Sequence, residues 1–308
     1  MKLSRHRTRL FVVASVLVVS ACSSSTASQR TESALADDAV TIGSFDFPES
    51  AVLAEVYGQA LTAAGFHVQF KPSLGPRELV LPALRQGLVE LVPEYAGTAL
   101  QFLSLGAEQP SADVGITHAA LVRALADDHV VAAAPAPAQD ANAIVVTART
   151  AARYHLATIS DLAVVAPQLT FGGPPECPNR PFCLQGLNGT YGLAFRAFVP
   201  LDAGGPVSVQ ALVSGEVDVV LLFTTDPRIA VDGLVELVDD RHLQPAENVT
   251  PVLRKEVIDR WGADVLRLID RLSSRLTTDD LRAMTGQLRN GTQPAAVAAA
   301  WLASHGTP

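Results

Sequence analysis

Cysteine is scarce in this chain: three in 308 residues, at positions 22, 177 and 183. That number excludes a dense disulfide framework and a four-cysteine zinc site. Aromatic residues make up only 6%, with four tyrosines and two tryptophans. Basic residues are outnumbered, 23 Lys+Arg against 31 Asp+Glu, for a net charge of −8, so no basic face for non-specific nucleic-acid binding is expected. No stretch beyond the N-terminus is apolar enough to span a bilayer. The chain carries no Gly-x-Ser-x-Gly elbow, no His-Glu-x-x-His, no P-loop and no Gly-x-Gly-x-x-Gly. Its seven histidines are scattered, so no metal site is expected, and no cofactor either. Carboxylates are plentiful, but nothing in the sequence places two of them for acid–base work, and an enzyme is not expected.

What is present points to a folded, exported protein. Hydrophobic residues at 48% and charged residues at 18% supply a sizeable core and exclude general disorder. The length suggests about two domains of ordinary size. Lys2, Arg5, Arg7 and Arg9 precede an apolar run from Leu10 to Val19, and then come Ser20, Ala21 and Cys22. Basic residues, a short apolar core and small residues before a cysteine resemble a lipoprotein signal, cleaved before Cys22, which is then acylated. An ordinary secretory peptide is the alternative. The reading gives a signal segment over 1–21 and a flexible tether over 22–39, rich in serine at its start. Losing residues 1–21 removes four cations and no acid, which takes the net charge from −8 to −12. An acylated Cys22 would hold the protein at the outer face of the cytoplasmic membrane.

Outside the cytoplasm, the close pair Cys177 and Cys183 is expected to form a disulfide. Two thiols alone are too few for a metal, and free thiols are the alternative.

The pattern of the mature chain is α/β. Val40–Gly43 reads as a strand, 48–64 as a helix stopped at Gly65, 66–70 as a strand, 77–86 as a helix and 88–92 as a strand. A helix over 117–127 and a Pro/Ala-rich segment over 132–138 lead to a strand at 143–147. A second α/β unit follows. It has a helix entry at Thr158, a strand at 169–171, helices over 191–198 and 207–213, and strands at 217–223 and 234–238. The remainder reads as helical: 257–272, a helix capped by Thr278, and a last helix opened by Pro294. This predicts two lobes, one over 40–140 plus 228–308 and the other over 141–227, with a ligand cleft between them.

Three segments carry a family resemblance. They are Ile42–Ser50 (IGSFDFPES), Leu84–Leu100 (LRQGLVELVPEYAGTAL) and Gly215–Ile229 (GEVDVVLLFTTDPRI), with the spacing of the final helices. Over residues 40 to 305 the chain resembles the substrate-binding proteins of ABC importers for glycine betaine, choline and related osmoprotectants, the OpuAC/ProX type. The resemblance implies a two-lobed periplasmic-binding-protein fold of type II with two crossover strands. It implies a monomer that delivers a small ligand to a membrane permease driven by a cytoplasmic ATPase. It also implies a box of aromatic rings around a quaternary ammonium group. Such a group offers no N–H donor, so ring faces supply the attraction, about 0.5–2 kcal/mol per contact.

Carried onto this sequence, the implied site holds Phe45, Phe47, Tyr95 and Phe223 as ring surfaces. Asp46, Thr98, Gln139, Asp140, Asn142, Thr224 and Asp226 are its polar groups. Arg180 lies near a position able to meet a ligand carboxylate. The chain departs from the family pattern in three places. Phe223 stands where tyrosine is common, 134–142 holds no aromatic residue, and no tyrosine lies near Val209. The alternatives are the same fold holding another small polar or aromatic ligand, and a ligand-sensing lipoprotein without a transport role.

Overall fold

The computed structural model describes residues 38–231 and 233–306. The signal segment and Cys22 lie outside the described residues. Strands are numbered β1 (Val40–Gly43), β2 (Val68–Lys71), β3 (Leu91–Tyr95), β4 (Val130–Ala132), β5 (Asn142–Thr147), β6 (Thr170–Gly173), β7 (Ala197–Pro200), β8 (Val219–Phe223), β9 (Leu234–Glu236) and β10 (Val249–Arg254). They form two five-stranded mixed sheets, ordered β2-β1-β3-β10-β4 and β7-β6-β8-β5-β9. In the first, β1 runs parallel to β2 and β3, and β10 runs antiparallel to β3 and β4. In the second, β6 runs parallel to β7 and β8, and β5 runs antiparallel to β8 and β9.

Alternation along the strands explains why each sheet sits between two helical layers. In β3, Leu91 faces a core built on Tyr57, Met284 and Trp301, while Val92 faces one built on Val80, Leu100 and Leu121. In β8, Val219 and Leu221 join Leu162, Phe171 and Leu187, while Val220 and Leu222 join Leu212 and Val145. Each sheet thus has its own pair of cores, which makes the molecule two-lobed.

Two chain segments cross between the sheets side by side. Gln139 bridges Asn248, and the Asp140 N–H donates to Glu247 O at 3.0 Å. The first crossing is tied down along its length. The N–H groups of Ala134, Ala136 and Ala138 donate to Asp270 Oδ1 (2.8 Å), Val249 O (2.8 Å) and Leu276 O (2.9 Å).

Five differences from the sequence reading have physical causes. Residues 191–198 are not a helix: helix Leu184–Tyr191 ends at Gly192, whose φ of +71° closes the last turn, and β7 follows. The helix expected over 257–272 is broken at Gly262 (φ +77°) into Lys255–Trp261 and Ala263–Ser273. Thr277, one residue before the expected Thr278, caps Thr278–Arg289 through a capping box with Asp280. β10 was not expected at all. Its Pro251 faces Pro93 of β3, and proline inside an apolar run reads against a central strand. Finally, β9 pairs with β5, so the second lobe does not end at residue 227 and the chain returns to the first lobe between Glu236 and Val249.

Candidate functional site

The strand ends and the loops after them bring the site together. Phe45 and Phe47 follow β1 and lead into helix Pro48–Ala63. The Phe45 N–H donates to Ser50 Oγ (2.9 Å), fixing that loop on the helix's first turn. Tyr95 ends β3 and caps helix Ala96–Leu103, with Thr98 in that helix's first turn. Asp140 lies in the first crossing. Asn142 opens β5 and pairs in register with Phe223, the last residue of β8. Phe223 rests on Gly204, where a Cβ would stand 2.8 Å from the ring and where φ is +65°.

These residues line a cavity of about 510 Å³ between the lobes. Phe47 is its hub. Its ring lies 5.7 Å from Phe45 (stacked), 6.1 Å from Tyr95 and 5.4 Å from Phe223 (both tilted). The last of these contacts joins the two lobes. One face of Phe45 carries the Arg77 guanidinium, 5.3 Å from the ring centre. Arg77 is held in turn by two hydrogen bonds to the fully buried Glu94, at 3.0 and 2.9 Å.

Carboxyls surround the rings. Glu247, from the return crossing, accepts from the Thr98 N–H (3.0 Å) and Thr98 Oγ1 (3.3 Å). Burial pushes it up to about 8, against the pull of Arg77. Behind the rings, Glu49 accepts from the Tyr95 phenol (2.6 Å) and Thr225 Oγ1 (2.6 Å). Asp140 accepts from Thr224 Oγ1 and the Thr225 N–H, each at 3.0 Å. Glu49 and Asp140 meet each other. Burial, and for Asp140 the neighbouring Glu49 charge, raises both above the ordinary carboxylate range. At the mouth, Glu78 of helix Arg77–Arg85 pairs with Arg180 from the opposite lobe at 2.7 Å. Arg180 belongs to the loop closed by the Cys177–Cys183 disulfide, which also lends Asn179 and Phe182 to the lining.

Of the eleven residues expected at the site, Phe45, Asp46, Phe47, Tyr95, Thr98, Asp140, Asn142 and Phe223 line this cavity. Gln139, Thr224 and Asp226 do not. Gln139 is exposed on the outer side, its N–H bonded to Thr278 Oγ1. Thr224 holds the Asp140 carboxylate rather than facing the cavity. Asp226 pairs with Arg228 and caps the short helix Arg228–Val231 behind the rings. Asn142 lines the wall with its amide already committed to Phe182 O and Gln244 Oε1, both at 3.1 Å. The reading from sequence did not single out Arg77, Glu78, Glu49 or Glu247. Glu49 stood within the matched IGSFDFPES segment, so its signal was available, whereas Glu247 sits in a stretch with no motif. Among the described residues no cluster of His, Cys, Asp and Glu is placed to hold a metal ion.

Residues 38–304 match the family described as the substrate-binding domain of an ABC-type glycine betaine transport system. The chain belongs to this family. It is thus a solute-binding protein of an ABC transport system and not an enzyme. The chain is 28% identical over 280 residues to a glycine-betaine-binding protein of Pseudomonas aeruginosa, covering 87% of this chain and 88% of that protein. It is 26% identical over 234 residues to the glycine betaine-binding protein YehZ of Escherichia coli, covering 72% and 76% respectively. Among solved structures it is similar to a glycine betaine/carnitine/choline ABC transporter protein, with a TM-score of 0.68 at 25% identity over 87% of this chain and 99% of the other. The two-sheet, two-crossing architecture is the type II periplasmic-binding-protein fold seen in such structures.

Proposed function

We propose that this family member captures a quaternary ammonium osmolyte of the betaine or choline class outside the cytoplasm and hands it to a membrane permease. The observation that carries the reading is the cluster of Phe45, Phe47, Tyr95 and Phe223, contributed by both lobes to one cavity with buried carboxyls beside it. Ring faces attract a cation that has no N–H to donate, and a shielded cavity strengthens that attraction. Burial holds protons on Asp140 and Glu247; a bound cation favours their ionised forms, whereas an anion gains no such partner. Contacts drawn from both lobes mean that a ligand binds the closed form more tightly than the open one, which is the condition for ligand-driven closure. The names of the relatives in Pseudomonas aeruginosa and Escherichia coli support the same ligand class.

In this reading the protein acts as a monomer. Its first 21 residues are removed, Cys22 is lipidated, residues 22–39 form a tether, and the permease is driven by a cytoplasmic ATPase. No helix among the described residues is long and apolar enough to cross a membrane. In this reading the lipid on Cys22 supplies the anchor. A thermal-shift panel of betaine, choline, carnitine, proline betaine, polyamines and sugars tests the ligand class, because a ligand that binds the folded state raises the melting point by mass action. Shifts confined to the quaternary ammonium members are expected. Shifts from sugars or polyamines alone overturn the reading.

A further inference from the structure

The ring cluster is a partition as well as a wall. Behind it lies a second cavity of about 260 Å³, and the two cavities share four lining residues: Phe47, Asp140, Ala203 and Phe223. Phe47 and Phe223 come from opposite lobes, both are half-buried, and their centres stand 5.4 Å apart. A modest separation of the lobes, or a rotation of one half-buried ring, joins the two spaces.

The chemistry of the second cavity differs from that of the first. Its walls are largely apolar, formed by Pro48, Pro206, Pro227 and Leu288 together with the backs of the two rings. Asp226 and Arg228 pair with each other at 2.8–2.9 Å, and the Glu49 and Asp140 carboxyls, also in the lining, already accept hydrogen bonds from Tyr95, Thr224 and Thr225; Arg289 stands at the same wall. The apolar part of this wall suits an uncharged hydrocarbon portion of a ligand. The first cavity alone already lies within the roughly 300–1,000 Å³ that holds drug-sized ligands, so the compartment as a whole is large for a small osmolyte.

Building on the proposed quaternary ammonium site, we propose that the second cavity is an annex for an apolar substituent on that ligand, so that the protein takes quaternary ammonium compounds carrying an uncharged chain of several carbons. The chain enters first through the parted rings, and the ammonium head follows and stays among the ring faces. Phe47 and Phe223 then close on the chain between head and tail.

Calorimetry with tetramethylammonium and a series of n-alkyltrimethylammonium salts from ethyl to octyl tests this. Affinity rises by about fourfold for each methylene that becomes fully buried, until the annex is full. Leu288 lines the annex and not the first cavity. Leu288→Trp therefore leaves tetramethylammonium affinity unchanged and abolishes the gain with chain length, while Leu288→Ala moves the optimum to a longer chain. Affinity flat with chain length, with tetramethylammonium still bound, overturns the annex and leaves the ligand class standing. A gain that persists undiminished in Leu288→Trp also overturns the annex. Absence of binding by every member, the bare head included, overturns the ligand class and the annex with it. Melting curves of both variants check that each is folded.

Discussion

The Tyr95 phenol donates to Glu49 Oε1 at 2.6 Å, so one residue turns a ring toward the cavity and a hydroxyl toward the buried acid behind it. The two roles separate by mutation. Tyr95→Phe keeps the ring and takes a donor from a buried carboxyl, which costs about 1–3 kcal/mol of stability. Tyr95→Ala also removes the ring face and weakens quaternary ammonium binding at least several-fold. Calorimetry and melting curves on both variants check this. Unchanged affinity in Tyr95→Ala removes the residue from the site.

Stability falls as the solution becomes more alkaline. The Glu247 carboxyl is raised by burial from an ordinary 4.5 to about 8 in the folded protein. Between those values the folded state keeps a proton that the unfolded state has lost, so this group's contribution is full below about pH 4.5 and declines as pH rises to about 8. Glu49 and Asp140, also raised, act in the same sense. In melting scans from pH 5 to 8.5, Glu247→Gln shows a shallower decline than the parent protein. Identical slopes would contradict the assignment.

The disulfide loop packs on a glycine of the helix that follows it. A Cβ on Gly186 would lie 1.8 Å from Pro181 O, a backbone atom that cannot move without displacing Phe182 and Arg180 from the cavity wall. Gly186→Ala is expected to destabilise the protein by about 1–3 kcal/mol, as overpacking does, and to weaken ligand binding as well. Denaturant melts and calorimetry read the two effects.

Removing the cross-link between Cys177 and Cys183 relaxes the same loop without crowding it. Closing so short a loop contributes about 2 kcal/mol in the chain-entropy model. A Cys177→Ser/Cys183→Ser double variant is expected to lose about that much in a denaturant melt. An unchanged midpoint would show that the loop is held by its packing alone.

The lipid anchor is tested in cells. Cys22→Ala is expected to release the protein from the membrane fraction, and immunoblots of membrane and soluble fractions check it. Retention in the membrane fraction would refute lipidation at this residue.

Much of the architecture was legible because it rests on local pattern. Val40–Gly43, helix Pro48–Ala63 and β8 announce themselves through apolar spacing and a glycine or proline at their edges. β10 was hidden because its partners are distant in sequence and Pro251 disguises it. At the site, Phe45, Phe47, Tyr95 and Phe223 were legible through the family resemblance of the segments that hold them. The roles of Thr224 and Asp226 were not. Both sit in the same short turn as Phe223, and only the folded chain decides that one supports Asp140 while the other binds Arg228. Glu247 acquires its character from burial beside Thr98, 149 positions away, and the still more distant Arg77, which no local spacing records.

The clamped first crossing has a mechanical consequence. With the chain fastened to its neighbours from Ala134 to Gln139, bending cannot be spread along it. On this crossing, a swing of one half against the other must be absorbed within a few peptide units around Ala141, beside the turn at 224–227 whose Thr224 Oγ1 receives the Ala141 N–H at 3.1 Å. The pivot is therefore short, and it lies against the Glu49–Asp140 pair. Capture and release are geared to the same small set of torsions, so a substitution that stiffens this spot would slow both together while leaving the resting geometry of either half untouched.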